Sequence, residues 1–375
     1  MAYPRLDPSR VRALPLAERT SKHTVEEIRI DPEAPPPEAE AGLEAAVSRA
    51  AEAIRAARSR GASVILAYGA HLVKNGLGPV VTRLLEQGWI THLATNGAGV
   101  IHDWEYAFGG ASEEDVRSHV AAGRFGTWDE TGRFTLTAVL CGAVKGMGYG
   151  ESLGRFVWEE GCHIPGASAL EASIRAWLDA PGADETMPAR VELLDYLRAH
   201  PVPAGRLSVP HPHRSFSLAA NAYRLRVPLT VHPGIGYDII YTHPRARGAA
   251  MGRGAGIDFQ VFAHSVCGLE GGVFLSVGSA IMAPQIFEKA LSMANNLRRQ
   301  EERPPLAPFI AVNDLAQVDW DWSRGEPPPE HAAYYVRFCK SFSRMGGQML
   351  YAAGDNRAFV GQLARALGRA AAPAT

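Results

Sequence analysis

SVILAYGAHLVKNGLGPVVTRLLEQGWITHLATNGAG, residues 63–99, reads as one β-α-β unit. Residues 63–69 are a short β-branched, apolar run closed by a glycine, residues 76–88 carry a helical pattern between two glycines, and residues 90–99 are a second apolar run ending in a glycine-rich turn. Parallel strands need such a crossover, and ligands of open α/β sheets sit beyond the carboxyl ends of the strands. The loops at 69–76 and 95–103 are therefore where a site is first expected.

Working outward, residues 38–61 (EAEAGLEAAVSRAAEAIRAARSRG) are helix formers with an apolar stripe and a terminal glycine. Residues 1–40 read as an extended arm, its proline-rich stretch at 31–37 unable to be helical, expected to pack on a neighbour or fray. Downstream, a buried segment is expected at 134–144, amphipathic helices at 167–180 and 189–200, strands at 227–234, 256–262, 271–279 and 308–314, and a helix at 283–298. Strands alternating with helices at this spacing predict a single α/β domain over 41–375, a Rossmann-like, mostly parallel sheet with helices on both faces.

Apolar residues make up 46% of the 375 and charged residues 21%, so a large core can be buried. A net charge of -1 offers no basic field for phosphate backbones or anionic lipid, and nucleic acid is not an expected partner. No apolar run reaches the roughly twenty residues of a membrane helix, and MAYPRLDPSR has no hydrophobic signal core, so a cytoplasmic protein is expected. Cys141, Cys162, Cys267 and Cys339 form no CxxC pair, which fits reduced thiols. Lysine occurs only at 22, 74, 145, 289 and 340, so any lysine mechanism can be checked by inspection.

Neither 69–71 nor 97–99 completes the GxGxxG spacing of a dinucleotide turn, and MGRGAGID (251–258) lies before an apolar run instead of after one. Taken in order, however, the strand-end segments YGAHL (68–72), TNGAGV (95–100), HPGIGYDII (232–240), LSVGSA (275–280) and NDLAQVD (313–319) resemble those of deoxyhypusine synthases. The resemblance runs from about residue 63 to 361 and is weakest between 126 and 210. It implies NAD bound across these turns in a homotetramer, contacted at Ala70, His71, Thr95, Asn96, Gly97, Ser276, Gly278 and Asp319. It also departs from the family at two places. The polar groups of the family's first turn become Ala70 and His71, and SRMGGQ (343–348) has no lysine where the family carries the one that forms a covalent imine. Lys340 lies six residues before Gly346 and does not occupy that place. Deoxyhypusine synthesis is not expected.

His71 and Lys74, in the first strand-end loop, suit proton transfer or carbonyl polarisation, or are a capping histidine and a surface lysine. His102, Asp103 and Glu105 follow the second turn; one could contact a ligand, and Asp103 could instead cap a helix. Adjacent helical residues point about 100° apart, so His102 and Asp103 are not read as a dyad. His232, Asp238 and His243 match no standard metal spacing, so no metal is expected, and an acid/base or anchoring role is read for His232 and Asp238. Trp320 and Trp322 among Asp319 and Asp321 could stack a cationic amine or pack a contact.

The expected function is an NAD-dependent enzyme of deoxyhypusine synthase-like type acting on a small metabolite by reversible hydride transfer, with His71, Lys74, His232 and Asp238 as catalytic residues and no covalent lysine intermediate. One alternative is a cyclodeaminase, because VIHDWE (100–105) resembles a stretch of archaeal-type ornithine cyclodeaminase domains. The other is a nucleotide-binding pseudoenzyme.

Overall fold

The computed structural model describes residues 3–368. Residues 1–2 of the expected arm and 369–375 of the expected domain lie outside the described residues. Six strands form the main sheet: β1 (Val64–Tyr68), β2 (His92–Thr95), β3 (Leu229–Val231), β4 (Val273–Val277), β5 (Phe309–Asp314) and β6 (Gln348–Ala353). All neighbours are parallel and the order is β6-β5-β4-β1-β2-β3. Read from the other edge this is the 3-2-1-4-5-6 arrangement of doubly wound dinucleotide-binding sheets, whose strand order reverses between β1 and β4.

Side chains alternate across the pleat and so divide the core in two. Val64, Leu66 and Tyr68 join a cluster with Ile54 of the helix Ala41–Arg58 and Phe359 of the helix Asn356–Leu367. Ile65 and Ala67 face the other way, onto Phe262, Phe287 and Phe342 of the helices Gly248–Cys267, Met282–Gln300 and Arg337–Ser343. Because both faces are covered, β1, β2 and β4 are buried at every position, and β1 is apolar throughout.

Three segments differ from the sequence reading. Residues 256–262 are not a strand but lie within Gly248–Cys267. Phe259, Phe262, Ala263 and Val266 recur at i, i+3, i+4 and i+7, a helical period hidden by the glycines before them. The chain also turns helical directly after β1, at Ala70–Lys74, breaks at Gly76 with φ 76°, and resumes as Gly78–Glu86. Finally, β6 and the helix Asn356–Leu367 lie beyond the last strand the sequence predicts; β6 is an edge strand of mixed burial, so its apolar pattern is weak.

The N-terminal segment packs on its own chain. His23–Thr24 pairs antiparallel with Ala111–Ser112, Thr24 and Glu27 form a capping box, and Leu14 bridges Trp128.

Candidate active site

The turn after β1 packs on the turn after β4 so closely that a Cβ at Gly69 would overlap the carbonyl oxygen of Gly278. Gly69 is the N-cap of Ala70–Lys74, and Gly278 has φ 58°, a backbone conformation that favours glycine. At the carboxyl end of β5, buried Asn313 donates from Nδ2 to the carbonyls of Ala352 and Gly354, while its Oδ1 has no partner. These turns stand at the switch point of the sheet, and Ile281 and Leu315, which follow the ends of β4 and β5, are each 70% exposed.

Beside the switch point, over the ends of β1, β2 and β3, lies a cavity of about 280 Å³ lined by Lys74, Ala98, His102, Glu105, Glu113, Tyr237 and Asp238, with Arg19 and Lys22 from the N-terminal segment. Lys74 Nζ is 2.8 Å from Glu113 Oε2. Asp238 Oδ2 accepts from the Gly234 amide at 2.6 Å, and its carboxyl also takes the Ala98 amide at the start of the helix Gly97–Gly109. Burial raises the Asp238 pKa against the pull of those two amides. Gly97 is required here, since a Cβ would overlap the Asp238 carboxyl.

His102 is oriented through a chain of buried groups. Arg19 donates both terminal nitrogens to Glu105, at 2.8 Å each, and Thr131 Oγ1 and Ser112 Oγ add bonds of 2.8 and 2.5 Å to the same carboxylate. The Ser112 hydroxyl has only one hydrogen, given to Glu105, so it accepts from His102 Nδ1 at 2.7 Å. That bond assigns the proton to Nδ1 and leaves Nε2 as a free acceptor. Burial lowers the His102 pKa.

Of the residues singled out in the sequence, Lys74, Asp238, His102 and Glu105 come together in this cavity. His71 is exposed on the helix after β1, and Ala70, Asn96, Gly97 and Gly278 stand at strand ends. Thr95 is fully buried with its hydroxyl given to the Tyr68 carbonyl, Ser276 is buried within β4, and Asp319 is exposed on the loop after β5. His232 is buried behind β3, where Nε2 meets Thr230 Oγ1 at 3.0 Å and Thr230 in turn meets His92 at 3.0 Å. Burial lowers its pKa to about 3, so it is a neutral imidazole. Asp103 caps a different helix, accepting from the Leu218 and Ala219 amides and Ser217 Oγ. Trp322 is buried and Trp320 Nε1 donates to the Gly325 carbonyl, so both pack the fold. Among the described residues no group of three His, Cys, Asp or Glu is placed to hold a metal ion. No helix among them is long and apolar enough to cross a membrane.

Sequence reasoning missed Arg19, Glu113 and the orienting role of Glu105. Only Glu105 had a local signal, being one helical turn from His102 on the same face. Since His71 contributes no core area, His71→Ala is expected to change the unfolding free energy by no more than about 0.5 kcal/mol in urea titrations. A larger loss would make it a structural residue.

No family model and no curated relative matches the chain. Among solved structures it is similar to the ternary complex of AgrE with ornithine and NAD+, at 14% identity and TM-score 0.43 over 88% of this chain and 34% of that one. It is also similar to a conserved LOR/SDH protein of Methanococcus maripaludis S2, at 13% identity and TM-score 0.43 over 91% and 74% of the two chains. The third is ArgZ, an arginine dihydrolase from the cyanobacterial ornithine-ammonia cycle, at 12% identity and TM-score 0.40 over 87% and 33%. The chain spans about a third of the length of AgrE and ArgZ.

Proposed function

We propose that the chain is an NAD-dependent enzyme that acts on a small polar or cationic metabolite by reversible hydride transfer. The observation that carries this is the cavity holding Lys74, His102 and Asp238 over the strand ends beside the β1/β4 switch point. The residues at the switch point fit a dinucleotide. The turns at Gly69 and Gly278 let backbone come close, the free Asn313 Oδ1 is an acceptor for a hydroxyl or amide, and Ile281 and Leu315 offer apolar surface to a ring. The helix opening at Gly97 already holds the Asp238 carboxyl, so phosphates are favoured at the β1 turn and disfavoured at the β2 turn.

Bound at these turns, NAD would supply the hydride acceptor and donor. The chain's own groups hold the substrate and move its proton. Asp238 anchors a polar or cationic group, Lys74 supplies a fixed positive charge, and His102 Nε2 takes the proton, its ring held by Ser112 and Glu105. His71, exposed on the helix after β1, would contact the cofactor or share the proton work. His232, neutral and tied to Thr230, packs on Phe262 behind β3 and holds the end of that strand. With no lysine at residues 343–348, the intermediate is non-covalent.

Saturating NAD is expected to raise the thermal midpoint, and NADP to do so less. The gain is about 2.7 kcal/mol at a hundred times Kd. Absence of both binding heat and a melting shift at millimolar NAD would remove the cofactor, and with it this reading.

A further inference from the structure

We propose that Cys141 and Cys162 form a reversible dithiol–disulfide pair that reacts with a two-electron oxidant of the hydroperoxide class. Cys141 is buried on the helix Asp129–Ala143 and Cys162 half-buried on the short strand Gly161–Ile164, 21 positions later in the chain (162 − 141). The fold brings them into hydrogen-bonding contact, and both line one small cavity with Lys145 and Arg155. The backbone fixes the approach. Glu160 and Gly161 have φ of 54° and 117°, and a Cβ at Gly161 would overlap the Leu207 carbonyl of the paired strand Gly205–Ser208.

The two sulfurs are chemically unequal. The hydrogen bond from Cys141, aided by Arg206, Arg155 and Lys145, lowers the Cys162 pKa, while the same contact and burial raise that of Cys141. Cys162 is thus the attacking thiolate and Cys141 the resolving thiol. Cys162 sulfur takes the terminal hydroxyl of the hydroperoxide and becomes a sulfenic acid as the O–O bond breaks and hydroxide, or alkoxide from an organic hydroperoxide, leaves. Cys141 sulfur then attacks that sulfur, the S–O bond breaks, and water leaves with the Cys141 proton. The hydroperoxide is reduced and the pair is oxidised. The new bond fastens the helix to the hairpin, and a dithiol reductant restores both thiols. Such a labile pair is compatible with a reducing compartment.

The test uses the whole chain, treated with hydrogen peroxide, followed by thiol counting and peptide mapping without reductant. The reduced protein has four free thiols. Oxidation is expected to remove two, produce a Cys141–Cys162 cross-linked peptide, and be reversed by dithiothreitol. Cys141→Ser should leave a Cys162 sulfenic acid that dimedone captures, and Cys267→Ser, at an exposed position, should change nothing. If Cys141→Ser does not fold, Cys162→Ser serves: the linked peptide should vanish and Cys141 should stay reduced. Consumption of Cys267 alone, or over-oxidation of Cys162 with no linked peptide, overturns the proposal.

Discussion

Replacing Arg19 with alanine is expected to lower the unfolding free energy by about 3–5 kcal/mol, the usual cost of leaving one member of a buried ion pair alone. The side chains of Arg19 and Glu105 are 2% and 1% exposed, and the guanidinium meets both carboxylate oxygens. Burial pushes Glu105 up, but Arg19 more than offsets this and holds its pKa below the usual carboxylate value. The folded pKa being lowered, the contribution is present above the unfolded value of 4.5 and is lost as pH falls through the folded one. Urea unfolding of Arg19→Ala should therefore show its largest deficit near neutrality. The double variant Arg19→Met, Glu105→Leu should recover much of the loss, since no charge is stranded, yet should release His102 from its orientation. Equal stability of Arg19→Ala and the parent would mean the pair is not buried as described.

The second large effect lies at Asp258, 2% exposed on the helix Gly248–Cys267. Its carboxyl takes the amides of Tyr149 and Gly150 at the start of Tyr149–Trp158, and that of Val231 on the edge strand β3, the last two at 2.9 and 2.7 Å. Asp258→Ala strands these three amides, for an expected net loss of about 2–4 kcal/mol. Burial pushes the Asp258 pKa up to about 8, despite the amides that pull it back. Between the unfolded value of 3.8 and about 8 the folded chain therefore holds a proton that the unfolded chain has released. Stability must fall as pH rises across that window, and the fall should flatten in Asp258→Ala. Urea midpoints taken across that pH range would decide it. An unchanged slope in the variant would place the titration elsewhere.

What the sequence disclosed followed the reach of its signals. β1 to β5 were legible because apolar runs closed by glycine or a turn are local, and the placement of Lys74 and Asp238 near the cavity followed from their seats beside such strand ends. Residues 256–262 misled, since the glycines at 252, 254 and 256 concealed the helical period carried by Phe259 and Phe262. Arg19 was invisible for a different reason: its partner is 86 positions away, across a fold that had first to be known. The sequence sets His102 beside Asp103, which turns the other way to cap Leu218–Leu225; Glu105, one turn on, carries the relation that orients it.

The sheet order also bears on how the chain is made. β1 and β4 lie side by side, Val64 opposite Val273, although some 200 residues separate them along the chain. A ribosome delivers β1, β2 and β3 well before β4 exists, so the nascent amino-terminal half carries VILAY as an open, wholly apolar edge with no strand to cover it. Closing that edge is a long-range event with a high entropic cost of search, and it joins two halves that can each begin to organise alone. Until synthesis has passed Val277, the strand at the centre of the finished protein is its most adhesive surface.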